Sequence, residues 1–406
     1  MSMSPNNPIS PPVSLLIVHS SADLYGSDRS LLDFVSGSGK QFDVTVALPE
    51  HGPLEEKLML SGARVVVGEV CKLERGMLSP GGIAKTVRGV FRAYAFLKSI
   101  RPSGGFDLVY SNSIAVLGGA LCALIWRVPH VWHVREILTG SSTVSWIFRR
   151  MVGSLSRIVI CNSAQTQSWI APAASSVKYR VVWNGFDALS ANGGDRREAR
   201  AEFGAGEDDV LFVLVGRINS WKGQRLLVEA FSDLVRRGAG NVRLAIVGSA
   251  PSGQEHFEDE LARCVGASDA KDKVVVKPYR TDVESVWIAA DVVVVPSIEP
   301  EPFGRVAVEA MGFSRPVIAA SHGGLVEIVA DGKTGILFPP RDMAALREAM
   351  AKLADSPALR CEMGEAAVRR QQELFSLDSY VSRVSNVLQE AHALGFRADC
   401  EMSTKL

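Results

Sequence analysis

No sign of charge dominates this chain, in which 44 Lys and Arg meet 44 Asp and Glu over 406 residues. A net charge of zero is not that of a nucleic-acid binder, so nucleic acid is not an expected partner. Cysteine is sparse, and Cys71, Cys122, Cys161, Cys264, Cys361 and Cys400 show no C-x-x-C spacing. This argues against a zinc site and a disulfide framework and suits a reducing compartment, so a cytoplasmic location is expected. Long apolar runs are missing too. The most apolar stretch, Ile114 to Trp126, stops at Arg127, too short to span a bilayer, and reads as a buried helix. Residues 1–12 offer Ser, Pro and Asn without basic charge or an apolar segment of signal-peptide length, and are expected to be a disordered tail. No Asp-x-Asp stands out as a metal clamp. No G-x-G-x-x-G follows an opening strand with the acidic residue that a nicotinamide cofactor requires.

What the chain does have is a repeated series of short β-branched runs. The first comprises Val13–His19, Phe42–Pro49, Arg64–Val70, Phe106–Asn112, Val131–Val134, Arg157–Asn162 and Val181–Trp183. The second comprises Val210–Gly216, Val242–Gly248, Lys273–Val276, Val292–Pro296, Val317–Ala320 and Gly335–Phe338. Strands of Val and Ile alternating with helices imply parallel sheets covered on both faces. The fold class is therefore α/β, with two tandem doubly wound, Rossmann-like domains and a cleft between them as the expected reaction site. The expected division is an N-terminal domain over 13–190, a linker over 191–209 that contains Asn192-Gly193-Gly194-Asp195, and a C-terminal domain over 210–374. After Asp342, a helix N-cap, the chain reads as helical almost to its end. Residues 375–406 are expected to form a helix that packs back on the N-terminal domain.

The balanced charge is unevenly spread. Residues 1–190 hold 18 basic against 12 acidic residues, and residues 80–180 hold 12 basic against only Asp107 and Glu136. Either this is a solvated basic face or it attracts an anionic surface or acceptor. Lys85, Arg88, Arg92, Lys98 and Arg101 punctuate a helical stretch with Val90, Phe91, Tyr94, Phe96 and Leu97, which either packs on a sheet or lies on a membrane.

Two clusters carry chemistry. In Val215-Gly216-Arg217-Ile218-Asn219-Ser220-Trp221-Lys222-Gly223, two cations flank a loop that leads from a strand into a helix. Fixed cations beside free helix N–H groups suit a diphosphate; the alternative is surface basic residues. In Pro296-Ser297-Ile298-Glu299-Pro300-Glu301-Pro302-Phe303-Gly304-Arg305, followed by Val306 to Met311, Glu301 stands on a proline-broken loop and Glu309 along the helix that opens near Gly304. A ligand at that helix N-terminus would have a sugar near Glu301 and a ribose near Glu309.

Glu301, seven intervening residues and Glu309 resemble the E-x7-E pattern of family 4 retaining glycosyltransferases. The similarity runs on through Pro316-Val-Ile-Ala, Gly323-Gly324-Leu-Val-Glu327-Ile-Val and Asp331-Gly-Lys-Thr-Gly335-Ile-Leu-Phe-Pro-Pro340. In the first half it is looser and rests on Tyr25-Gly26-Ser27-Asp28-Arg29 and Trp132-His133-Val134-Arg135-Glu136.

The resemblance implies a GT-B fold and the transfer of a hexosyl unit, with retention, from a UDP- or GDP-sugar to a saccharide or lipid-linked saccharide. Another GT-B activity (an epimerase or a glucan synthase) and a non-catalytic GT-B scaffold are the rival readings. The resemblance assigns Arg217 and Lys222 to the diphosphate, the Phe303 and Gly304 amides to the sugar and distal phosphate, Glu309 to the ribose and Glu301 to the transferred sugar. Tyr279 and Arg280 occupy the position where such enzymes lodge the base. His133 would contact the sugar and help position the acceptor. Gly26 stands where similar enzymes pair glycines near the distal phosphate; a plain strand-to-helix turn with Asp28 as cap is the other reading. No cofactor or metal is expected, because Arg217 and Lys222 would do the work of a metal. A peripheral position on the cytoplasmic membrane face would suit the basic excess.

Overall fold

A computed structural model of the chain describes residues 11–73, 80–137, 142–171, 177–187 and 195–396. Residues 1–10 of the expected tail, 191–194 of the expected linker and Cys400 lie outside that range. The chain divides into two compact units. The first comprises Met1–Asn162, Gln167–Val182 and Tyr380–Leu406, and the second Ser163–Thr166 and Trp183–Ser379.

The first unit runs β1 (Val13–Val18), α1 (Gly26–Gly37), β2 (Phe42–Leu48), α2 (Pro53–Leu60), β3 (Arg64–Val67), α3 (Pro80–Ser99), β4 (Leu108–Ser111) and α4 (Gly118–Trp126). It continues with β5 (His130–Val134), α5 (Ser142–Leu155), β6 (Ile158–Cys161), α6 (Ala164–Ile170, whose first residues belong to the second unit) and β7 (Lys178–Val181). Its seven strands are ordered β3-β2-β1-β4-β5-β6-β7, all parallel. The central strands are buried Val, Leu and Ile because helices cover both faces. The expected strand Val181–Trp183 lies three residues earlier, as β7. This is an edge strand, where Lys178 and Arg180 mask a sheet margin that hydrophobicity alone does not reveal. The expected buried helix within Ile114–Trp126 is α4. It buries Ala120, Cys122 and Ala123 but leaves Leu124 and Ile125 exposed.

The second unit runs α7 (Arg196–Ala201), β8 (Val210–Val215), α8 (Gln224–Arg236), β9 (Val242–Val247), α9 (His256–Gly266), β10 (Val274–Lys277), α10 (Glu284–Ala289) and β11 (Val292–Val295). Then come α11 (Arg305–Gly312), β12 (Val317–Ala320), α12 (Leu325–Ile328), β13 (Gly335–Phe338), α13 (Met343–Asp355) and α14 (Pro357–Leu374). Its parallel sheet is ordered β10-β9-β8-β11-β12-β13. Alternation sends Phe212 and Leu214 to a core under α8 and α13, and Leu211 and Val213 to one under α10 and α11. Asp342 caps α13 by accepting from Ala345 N at 2.9 Å.

Within residues 191–209, expected as a linker, α7 is part of the second unit. Asp195 accepts from Arg197 N at 2.8 Å, and buried Arg200 bonds Asp291 at 2.7 Å and Ala289 O at 3.0 Å. The final helix, α15 (Leu377–Leu394), groups with the first unit from Tyr380 onward. There Glu390 holds Lys178 at 2.8 Å and Arg180 at 3.2 Å.

Candidate functional site

Doubly wound sheets bind ligands beyond the carboxyl ends of their strands, where strand order reverses. In the second unit that point falls between the paired strands β8 and β11. The loop after β8 and the loop after β11 meet at main-chain distance. Ile298 N donates to Trp221 O at 2.8 Å. Gly223, at φ +79°, leaves no room for a side chain, since a Cβ would stand 2.0 Å from Pro296 O. Asn219 Oδ1 accepts from Trp221 N at 3.2 Å and Lys222 N at 3.0 Å, an Asx turn that sets the direction of the lysine.

Lys222 Nζ reaches Glu301 Oε1 at 2.6 Å, and the Ser297 hydroxyl donates to the same oxygen at 2.6 Å. The side chains of Lys222 and Glu301 are only 19% and 7% exposed, so each charge depends on the other. The ammonium also lies 4.6 Å from the centroid of the Trp221 ring. Gln224 Nε2 donates to Arg217 O at 2.8 Å and fixes the backbone there, while the Arg217 side chain is exposed.

Gly304 caps α11, and Glu309 lies buried one turn in, accepting from Arg305 Nε at 2.8 Å in an i,i+4 pair. The loop after β12 braces this segment from below. Gly324 N donates to Glu301 O at 2.7 Å, and a Cβ on Gly324 would stand 2.6 Å from Phe303 Cα. Phe303 is buried, its ring 6.2 Å from that of Phe375. His322 Nε2 donates to Ser297 O at 2.8 Å. Glu299 faces elsewhere, 40% exposed and paired with Arg341 at 2.7 Å, so Glu301 is the carboxylate joined to Lys222. Downstream, Glu327 accepts from Trp183 Nε1 at 2.8 Å. Tyr279 is exposed, and its N–H donates to Ser249 Oγ at 3.0 Å. Arg280 is committed to Glu202, at 2.8 and 2.9 Å, and to Asp282 at 3.3 Å.

In the first unit the reversal lies between β1 and β4, and its polar residues are buried in one network. Arg135 Nε donates to Asn112 Oδ1 at 2.8 Å, which turns Asn112 Nδ2 towards His19 Nδ1 at 3.1 Å. His19 then carries its proton on Nε2 and gives it to Asp28 Oδ1 at 2.7 Å. Burial would raise the Asp28 carboxyl, but hydrogen bonds from His19, Ser21 and Tyr25 N–H hold it below its ordinary value. Asp28 thus closes a capping box at the start of α1, where Gly26 is the first helical residue.

His133 Nδ1 lies 2.6 Å from the Tyr110 hydroxyl, which is 3.1 Å from Asn112 Oδ1. Burial, and then the charge of Arg135, push the imidazole well below its ordinary pKa, so it is neutral at pH 7. Its Nε2 is buried with no hydrogen-bond partner among the described residues. Arg135 also donates to the hydroxyl of Tyr380, which in turn donates to Ser30 O, both at 3.0 Å. Glu136 accepts from Ser113 Oγ at 2.5 Å and from Ile114 N at 3.2 Å.

The residues singled out from sequence thus fall into three groups. Arg217, Lys222, Glu301, Phe303, Gly304 and Glu309 gather on the loops after β8 and β11 and the helix α11 that follows. Tyr279 and Arg280 stand on a separate loop after β10, and Gly26 and His133 belong to the first unit. Sequence reasoning passed over Ser297, Trp221, Arg305 and His322. Of these only Arg305 carried a signal, its four-residue spacing to Glu309.

A two-unit parallel α/β chain with this loop architecture has the GT-B fold of glycosyltransferases. A family model described as Glycosyltransferase Family 4 matches residues 25–188, and one described as Glycosyl transferases group 1 matches residues 195–370. The D-inositol 3-phosphate glycosyltransferase of Kribbella flavida is 32% identical over 313 residues, covering 72% of each chain. That of Acidothermus cellulolyticus is 30% identical over 349 residues, covering 81% of this chain and 76% of the relative. The crystal structure of Anabaena Alr3699/HepE in complex with UDP and glucose superposes with a TM-score of 0.77 at 24% identity, covering 92% of this chain and 99% of the other. Sucrose-phosphate synthase from Thermosynechococcus elongatus gives a TM-score of 0.74 at 20% identity, covering 95% of this chain and all of the other. The chain belongs to the family 4 glycosyltransferases.

Proposed function

We propose that this glycosyltransferase moves a hexosyl unit from a UDP- or GDP-sugar to a saccharide or lipid-linked saccharide, retaining anomeric configuration and needing no metal. The observation that carries this reading is the joining of Lys222 to Glu301 across the β8 and β11 loops, beside the N-terminus of α11. Lys222 and exposed Arg217 bring cations to a point where helix N–H groups add positive potential, which suits a diphosphate leaving group. Glu309, one turn into α11, would take the ribose hydroxyls, and Glu301 the transferred sugar. Tyr279 would lie against the base; Arg280 would have to leave Glu202 to join it. Similar proteins support the reading: the relatives are named for glycosyl transfer to an inositol phosphate, and the Anabaena neighbour, crystallised with UDP and with UDP-glucose, supports the donor class.

As the glycosidic bond loosens, charge gathers on the leaving phosphate, where preorganised cations stabilise it without reorganising. A leaving-group oxygen on the same face would then accept the acceptor's proton. His133, neutral and with Nε2 unpartnered, would offer that nitrogen to a sugar hydroxyl rather than act as nucleophile. The acceptor would be met at the cytoplasmic face of a membrane; no described helix is long and apolar enough to cross one.

Thermal shift with UDP, GDP, ADP and their sugars reads the donor base, because ligand binding stabilises the native state. A labelled donor, with the product's anomeric coupling measured by NMR in the presence and absence of EDTA, reads the rest. An inverted product overturns retention, EDTA-sensitive turnover overturns metal independence, and a donor isomerised without transfer establishes an epimerase.

A further inference from the structure

Asn112 follows Tyr110 by two residues and Arg135 follows His133 by two, so each pair projects to one side of its strand. The neighbouring parallel strands β4 and β5 set Tyr110 opposite Val131. His133, two residues on from Val131, therefore falls on the same face of the sheet as Tyr110. Four polar side chains meet in this way at the carboxyl ends of adjacent strands, and they meet inside the fold. Tyr110 is 1% exposed, Asn112 and His133 0% and Arg135 6%. Enclosed groups must satisfy one another, so the direction of each bond follows from what its two ends are able to do.

A backbone carbonyl only accepts and a guanidinium only donates. Ser30 O therefore accepts from the Tyr380 hydroxyl, whose oxygen accepts from Arg135. Arg135 Nε donates to Asn112 Oδ1, which turns the oxygen of that amide towards Tyr110. Two bare oxygens 3.1 Å apart would repel, so the Tyr110 hydroxyl donates its proton to Asn112 Oδ1. The Tyr110 oxygen also accepts from the Arg135 guanidinium. With its one proton committed to Asn112, Tyr110 can only accept from His133 Nδ1, 2.6 Å away. His133 then carries its proton on Nδ1. Its Nε2 is a bare lone pair, buried and without a partner among the described residues. A hydrogen-bond donor satisfies that nitrogen and an acceptor does not.

We propose that Tyr110 is a positioning residue for transfer: with Asn112 and Arg135 it fixes the tautomer of His133, so that Nε2 accepts from a hydroxyl of the transferred sugar and cannot donate to it. The proposal rests on the reading of His133 as a sugar contact. It adds the requirement that the sugar position facing Nε2 carry a free O–H. The depressed proton affinity of the buried imidazole agrees with this, because an imidazolium would have no lone pair to offer.

The imidazole nitrogens are observed by NMR in the full chain carrying isotope-labelled histidine, the His133 signals being those that vanish in His133→Ala. In the free wild type at neutral pH, His133 is expected to be protonated on Nδ1 and bare on Nε2. Tyr110→Phe removes the acceptor and should leave most of the His133 protons on Nε2. It should also lower turnover about tenfold over a panel of UDP- and GDP-hexoses, while stabilisation by the nucleoside diphosphate is unchanged. In the His133→Ala background the same substitution should lower turnover no further, because Tyr110 acts only through the imidazole. Asn112→Ala frees the Tyr110 proton to turn towards Nδ1. It should shift the tautomer the same way, and serves if the phenylalanine variant does not fold. A proton on Nε2 in the wild type, a tautomer that neither substitution moves, or an undiminished loss in the His133→Ala background overturns the proposal. The spectra are read on the free chain, so they decide the tautomer whether or not a nucleotide sugar is turned over. Absence of turnover with every donor counts against the transferase reading alone.

Discussion

The two units share one winding logic yet treat the carboxyl ends of their strands in opposite ways. In the second unit, polar side chains stand on short loops held at main-chain distance by glycine, and Lys222 and Glu301 depend on each other for compensation. In the first, His19, Asp28, Asn112, His133 and Arg135 are buried in a network that reaches from β1 to the last helix. One arrangement pairs charge on the loops at the sheet edge and the other fixes protons within the fold. Chemistry that depends on charge should therefore fail when the second unit is altered, and the sensitivity of stability to acid should change when the first is.

The largest effect is expected at Lys222. Lys222→Ala leaves Glu301 nearly enclosed with only Ser297, which should cost about 3 kcal/mol of stability and lower turnover on the order of a hundredfold. Chemical denaturation beside initial rates measures both, and the double variant with Glu301→Gln should recover stability without recovering turnover. If Lys222→Ala melts and turns over as the wild type does, the claim of mutual dependence is broken.

Acid should act on the first unit. His130, which accepts from Ser111 Oγ at 2.9 Å and donates to Leu155 O at 3.0 Å, is pushed by burial down to about 4. An unfolded histidine takes up its proton near pH 6.5, so between that value and 4 only the unfolded chain is protonated. The stability is fully present above pH 6.5 and is lost as pH falls towards 4, by about 2 kcal/mol between pH 7 and 5. Buried His133 shifts in the same direction. Denaturation curves across that range should show the slope, and His130→Gln should flatten it.

Smaller effects should separate the two carboxylates of the second unit. Glu309→Gln should raise the dissociation constant of the nucleoside diphosphate about tenfold, about 1.4 kcal/mol, and spare turnover at saturation. Glu301→Gln should chiefly slow turnover. Calorimetry beside kinetics decides, and indistinguishable defects would deny them separate roles. Least of all, Tyr380→Phe should cost about 1 kcal/mol through its lost hydrogen bonds and leave nucleotide affinity untouched.

The contrast between the units also explains what could be read from sequence. The runs of Val and Ile foreseen as strands are strands, save that Val181–Trp183 gives way to the edge strand β7 three residues earlier, because a strand buried on both faces needs continuous apolar residues and an edge strand does not. The second unit's loops were legible because glycine, proline and the spacing from Glu301 to Glu309 are local signals. The first unit's network was not, since Arg135 and Tyr380 stand 245 residues apart and neither advertises the other. The linker reading erred for the same reason. Arg196 and Arg200 look like solvated charge until Asp291 and the carbonyls at the end of α10 are seen around them.

Tyr380 has a consequence for the order in which the molecule is made. Its hydroxyl is the partner that Arg135 needs inside the first unit, yet the ribosome supplies it only after the whole second unit has emerged. At about 5–20 residues per second, Arg135 waits on the order of ten seconds or more for its acceptor. During synthesis the first unit is therefore an unfinished body, with a guanidinium still to be enclosed and a helix-sized flank uncovered. A nascent protein cut short before residue 380 should therefore be the more readily digested in its N-terminal half.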